Sequence, residues 1–142
     1  MTDASIEHVG STAVPGLGAK PVIDIMLGVS ALLEVEARIA QLGSLGYEYV
    51  PAHEAQLPER RYFVKPPTRP RTFHLHCVVR GSDFWQSHLE FRDFLREHPE
   101  TAAAYLELKQ ELAARFRTDR VAYTDGKSAF ISSILEKPRR LC

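Results

Sequence analysis

The spacing of apolar and polar positions divides the chain into a strand-forming front and a helix-forming back. Ile6 to Val9 and Val22 to Leu27 are short apolar runs of strand character. Successive strand side chains point to opposite sides, so Ile23, Ile25 and Leu27 share one face while Val22, Asp24 and Met26 share the other. The aliphatic face is core, and Asp24 looks away from it. Leu32, Val35, Ile39 and Leu42 recur at helical spacing, which predicts a helix from a Ser30 cap through Leu42, closed by Gly43 and Gly46. Tyr47 to Val50 reads as a short strand. Arg60 to Lys65 and Thr72 to Val79 read as a hairpin, with an irregular Pro-rich tip because proline cannot serve inside a ladder.

Three helices follow. The first is capped by Ser82 and carries Phe84, His88, Phe91 and Leu95 in one stripe, where His88 reads as a packing residue. The second opens at Pro99 and aligns Tyr105, Leu108, Leu112 and Phe116. The last runs from roughly Asp125 to Lys137 and stops at Pro138. The sum is one α+β domain over residues 1–142, a small mixed β-sheet with helices packed mainly on one face. Asp24 is expected to open onto a cleft, with the helices on the other side of the sheet.

An ionised carboxylate in an apolar strand is costly unless it is paired or binds a cation, so Asp24 is the first candidate site residue. Upstream, Gly10-Ser11-Thr12 offers close backbone approach, N–H groups and two hydroxyls, the chemistry of a phosphate cradle. The plain alternatives are a simple turn and an Asp24 paired with Lys20 or an arginine. On the second hairpin strand Phe73, Leu75, Cys77 and Val79 face the core, so His74 and His76 face the other way together. Imidazoles two apart on a strand are a common ligand pair for Zn²⁺, Mn²⁺ or Fe²⁺, and equally a pair of hydrogen-bonding surface histidines. From Arg60 to Ser82 there are six Lys or Arg residues and no acid. Arg61 and Lys65 share a strand face there and are expected to wall an anion pocket. Lys127, at the start of the last helical stretch, reaches a phosphate or merely neighbouring carboxylates.

Composition narrows the partners. Eighteen basic and eighteen acidic residues cancel, so no global field recruits nucleic acid, and attraction for a phosphorylated ligand must be local. The two cysteines, Cys77 and Cys142, suggest no disulfide framework, and Cys77 reads as a small buried apolar residue. With no apolar run long enough for a bilayer and no leader pattern, a cytoplasmic protein is expected.

Gly-Ser, a spacer and then Asp in an apolar strand resembles the signature of the polymerase-beta-type nucleotidyltransferase superfamily. More narrowly, HVGSTAVPGLGAKPVIDI resembles the opening motif of the GrpB family within it. FHLHCVV and the helix-borne Tyr105, Lys109, Tyr123 and Lys127 are similar to that family's later features, so the likeness spans nearly the whole chain. The resemblance implies a nucleotidyltransferase-type sheet and a nucleotide or other phosphate ester as ligand. It implies a phosphate grip of Gly10, Ser11 and Thr12 with Lys20, Arg61, Lys65 and Lys127 in support. It also implies a divalent metal, Mg²⁺ or Mn²⁺ with Zn²⁺ as the imidazole-ligated variant, held by Asp24, His74 and His76. These three residues would be the catalytic set if nucleotidyl or phosphoryl transfer occurs.

Fusion of some family members to a dephospho-coenzyme A kinase implies a link to coenzyme A biosynthesis. Two departures stand out. Two-metal transfer uses a carboxylate pair on this strand, and the second position is Met26, whose thioether does not hold Mg²⁺. The helical segment that family members usually carry ahead of the first strand is expected to be missing here, which would leave an apolar face to be met by a second subunit, a homodimer, or by local rearrangement. The alternatives are a non-catalytic accessory or ligand-sensing module, and a histidine-ligated metal-dependent hydrolase.

Overall fold

A computed structural model of the chain describes residues 4–14, 22–66 and 72–135. Strands β1 (Ser5–Val9), β2 (Ile23–Val29), β3 (Glu48–Tyr49), β4 (Arg60–Lys65) and β5 (Phe73–Val79) form one sheet in the order β1-β2-β5-β4-β3. β2 and β5 are parallel neighbours, and the other pairs are antiparallel. The residues between β2 and β5 must therefore cross over, and they do so through two short helices, α1 (Leu32–Glu36) and α2 (Ile39–Ser44), followed by β3 and β4.

The two faces of the sheet bury different things. On one, Leu27, Val29, Phe63, Leu75 and Cys77 pack with Val35 of α1 and, more shallowly, Ile39, Leu42, Tyr47 and Tyr49. This is the aliphatic face that the alternation in β2 predicts. On the other, Val9, Met26 and Val78 lie under Phe84 and Trp85 of α3 (Asp83–Glu97). Burying each such side chain contributes roughly 1.5–3 kcal/mol, so a stripe of this kind does not stay in solvent when an apolar patch is available. Gly28 permits the close approach, since a Cβ there would stand 2.6 Å from the Trp85 ring.

Helices α4 (Pro99–Arg115) and α5 (Arg120–Leu135) join α3 through Phe91, Leu95, Ala102, Tyr105 and Ile131, with Val14 from the β1–β2 connection. The three long helices thus lie on the same side of the sheet as Asp24, not across from it as expected. The acid opens into a helix-walled cleft.

Two element boundaries differ from expectation. The helix predicted through Leu42 breaks at Ala37-Arg38. Arg38 folds its guanidinium back to donate to the carbonyl of Glu34 (3.0 Å), and its own N–H bonds at the tighter spacing to Val35 (2.9 Å). The last helix begins five residues earlier than expected, at Arg120, because the Asp119 carboxylate caps it by accepting from the Ala122 N–H (3.0 Å). Ser82 caps α3 as predicted, accepting from the Trp85 N–H. No helix among the described residues is long and apolar enough to cross a membrane.

Candidate functional site

The parallel register of β2 and β5 sets Asp24 beside His74 and Met26 beside His76, so acid and imidazoles meet on one face. Asp24 Oδ1 lies 3.1 Å from His76 Nε2 and 3.4 Å from His74 Nδ1. Burial alone would raise the Asp24 pKa, but hydrogen bonds from His74 and His76 outweigh it and hold the carboxyl well below the usual carboxylate range. Asp24 is therefore ionised at every physiological pH. On its other side stands Gly10, at φ 76°, where a Cβ would come within 2.6 Å of Asp24 Oδ2. The β1 end and the acid touch because glycine occupies the bend.

From this cluster a cleft of about 160 Å³ runs toward the helices, lined by Gly10, Ser11 and Asp24 on the sheet side. Its helical wall carries polar Tyr105, Lys109, Tyr123 and Lys127 of α4 and α5 together with apolar Phe91, Leu95 and Ile131. The Lys109 ammonium donates to Ser11 Oγ in a close contact, leaving the Ser11 hydroxyl hydrogen to donate onward. Lys109 also lies over the Tyr105 ring (5.0 Å) and Lys127 over the Tyr123 ring (4.9 Å). Burial pushes the Tyr105 phenol above its ordinary pKa, so it stays protonated. The turn itself uses the Ala13 and Val14 amides internally, on the carbonyls of Gly10 and Ser11. Arg92, also on the wall, is held by Asp93 (2.9 Å), Glu7 (3.6 Å) and the His8 carbonyl (3.1 Å).

His88 of α3 lines the cleft too, which its stripe position did not disclose. Its Nδ1–H donates to the Phe84 carbonyl (2.8 Å), so its Nε2 keeps a lone pair. Burial, then the neighbouring His76, lower its pKa to about 3 and keep it neutral.

The structure brings Gly10, Ser11, Asp24 and Lys127 to the cleft and gathers His74 and His76 on the acid. It does not bring Arg61 or Lys65. Both alternate to the opposite face of β4, where Arg61 pairs with Glu36 (3.0 Å) and Glu54 (3.8 Å) and Lys65 sits over Tyr47 (5.2 Å) and Phe73 (5.8 Å). The wall of cations expected from the hairpin comes instead from α4 and α5. Thr12 turns to His8, with its Oγ1 2.8 Å from Nε2. Lys20, Arg69, Arg71, Cys142 and the residues beyond 135 lie outside the described residues. The Cys77 thiol, buried, is pushed up to about 12 and is no nucleophile.

Against a metal, the donor set divides. Asp24 is one hard carboxylate facing the cleft, and Mg²⁺ is commonly held by one or two carboxylates with phosphate oxygens and water completing the shell. A two-metal clamp does not fit, because Met26 occupies the second position with no exposed surface, under Phe84 and Trp85. Among the described residues no three His, Cys, Asp or Glu side chains are arranged to hold a metal ion.

Residues 1–137 match the protein family described as GrpB protein. A UPF0157 protein of Pseudomonas aeruginosa is 45% identical over 133 residues, which is 92% of this chain and 53% of that protein. The UPF0157 protein YqkA of Bacillus subtilis is 37% identical over 96% of this chain and 39% of its own length, so the chain spans about half or less of these two relatives. The glutamate-rich protein GrpB of Alkalihalophilus pseudofirmus is 35% identical, over 93% of this chain and 77% of that one. A dephospho-CoA kinase of Mycolicibacterium paratuberculosis is 32% identical across 86% of this chain, which is 35% of the kinase. Among solved structures, the conserved protein GrpB from Enterococcus faecalis matches with a TM-score of 0.78 at 38% identity, over 93% of this chain and 78% of that one.

Proposed function

The chain belongs to the GrpB family, and on that footing we propose that it binds a nucleotide or a related phosphate ester in the cleft between the Gly10-Ser11 bend and α3–α5. One observation carries the reading: Lys109 is bonded to Ser11, and Lys127 shares the same wall, opposite an ionised Asp24. Two ammonium groups and a hydroxyl on one side suit phosphate oxygens. The carboxylate on the other side suits a Mg²⁺ that arrives with those phosphates, whose charge that ion would neutralise. The enclosed volume holds the phosphate end of such a ligand, and a base or pantetheine arm would extend outward.

Nucleotidyl or phosphoryl transfer is the active form of this reading, supported by the resemblance of the Gly-Ser and Asp24 motif to nucleotidyltransferases. Met26 favours the other form, an accessory or ligand-sensing module, because the strand that should carry the second carboxylate carries a buried thioether. The likeness to a protein named dephospho-CoA kinase puts coenzyme A precursors first among ligands to try.

The test is a thermal-shift and calorimetric screen of inorganic phosphate, ADP, ATP and dephospho-coenzyme A, each with and without Mg²⁺. A ligand at about 100 times its Kd should stabilise the protein by about 2.7 kcal/mol. Ser11→Ala and Lys109→Met should each weaken that ligand about tenfold or more, the effect of losing a charged hydrogen bond. If none of these phosphates shifts the wild-type melting temperature, the proposal fails. Product formation on incubation with Mg²⁺ and an alcohol or amine acceptor would decide for transfer over sensing.

A further inference from the structure

Arg60 is a cation buried to 4% exposure at the start of β4, on the Asp24 side of the sheet. Its guanidinium lies 4.5 Å over the Tyr62 ring, and its Nη1 is 3.1 Å from Nδ1 of His76, itself only 5% exposed. Arginine donates and never accepts, and it stays protonated, so His76 Nδ1 must be the acceptor. A neutral imidazole that accepts at Nδ1 carries its proton on Nε2, the atom 3.1 Å from Asp24 Oδ1. The chain of donors therefore runs one way, from Arg60 to His76 to Asp24. The other tautomer would aim an N–H at the guanidinium and a lone pair at the carboxylate, repelling at both ends.

We propose that Arg60 is a tautomer lock: it makes His76 a donor that holds the Asp24 carboxylate toward the cleft, and it denies His76 to a transition metal. Ligation through Nε2 needs the proton on Nδ1, normally facing a carboxylate or carbonyl acceptor. Here that place is taken by a donor. Asp24 Oδ1 is 3.1 and 3.4 Å from the two imidazole nitrogens, hydrogen-bond distances, and the three side chains as they stand are not arranged to hold an ion. Arg60 thus separates a hydrogen-bonded acid from a histidine-ligated centre, and its removal is expected to create the second. Arg60 is a positioning residue, acting on Asp24 through His76.

The test uses the full chain without phosphate ligand, so its result is independent of the phosphate-binding reading. Long-range ¹H–¹⁵N spectra, with His76 assigned through His76→Gln, should show the Nε2–H tautomer in the wild type. Arg60→Lys, whose ammonium can still donate, should keep that tautomer, and Arg60→Met should lose it. Titration with Co²⁺ should give no His76-dependent binding in the wild type. Arg60→Met should bind Co²⁺ at least about tenfold more tightly, the scale on which outer-shell partners tune metal sites, and adding His76→Gln should abolish the gain. An Nδ1–H tautomer in the wild type, or wild-type Co²⁺ binding that His76→Gln removes, would overturn the proposal. Either wild-type result stands whether or not the Arg60 variants fold.

Discussion

At the scale of residues, the site depends on who can approach Asp24. Gly10 has φ 76° and ψ −174°, a region essentially reserved for glycine, and its absent Cβ is what lets the bend touch the acid. Gly10→Ala is expected to cost about 1–3 kcal/mol in urea unfolding and to weaken phosphate binding beyond that loss, by pushing Asp24 out of place. Calorimetry under conditions where the variant is fully folded separates the two effects; unchanged affinity there would show that the contact is irrelevant to the cleft. His74 and His76 are legible as a pair because strand alternation assigns faces with a period of two, while only the family resemblance sets them beside Asp24. The place of His88 in the cleft is not legible in this way. A stripe position says that a helical residue is turned inward, but not which neighbour it meets. Arg60 was hidden for a different reason. A cation next to another cation in a basic run looks solvent-facing, and only the strand pairing shows that one goes under α3 and the other toward Glu36.

At the scale of elements, the cleft is made by strands that announce themselves and helices that do so in part. The strands, the hairpin and the capped start of α3 follow from alternation and from Ser82. The break between α1 and α2 does not, because it is set by a guanidinium reaching one turn back, and apolar spacing runs straight through it. The early start of α5 is readable in Asp119, but no apolar stripe stands beside that residue to mark a helix. That cap matters for the cleft, since its lining residues Tyr123 and Lys127 lie one and two turns beyond it. Asp119→Ala should lower stability by about 1 kcal/mol, measured by urea unfolding. It should also increase amide exchange through the first turn of α5 while leaving β2 and β5 protected. Equal loosening of strands and helix would mean that the cap does not act locally.

At the scale of the whole molecule, the acid–imidazole cluster ties the sheet to the bundle and sets the response to pH. His88 faces His76, Asp24 and Arg60 from the sheet, is neutral in the fold down to about pH 3, and protonates near its ordinary 6.5 once released. Between those values the unfolded chain binds the extra proton, so stability rises with pH through the window and is lost as pH falls. Burial pushes His76 in the same direction, and Asp24, with its lowered pKa, adds a loss that begins near its ordinary 3.8. Unfolding free energies from urea titration should therefore begin to fall below about pH 6.5, by up to about 1.4 kcal/mol per unit for each such histidine, and His88→Gln should flatten the slope. An unfolding free energy unchanged from pH 7 to 5 would contradict the burial of neutral imidazoles. The parallel pairing of β2 with β5 has a last consequence. Slide β5 by one residue and Leu75 and Cys77 would turn into the cleft while both imidazoles were driven into the oily layer beneath α1. The greasy side of the sheet is the jig for the reactive side, so mutations that loosen Phe63 or Val35 would blur the aim of groups they never touch.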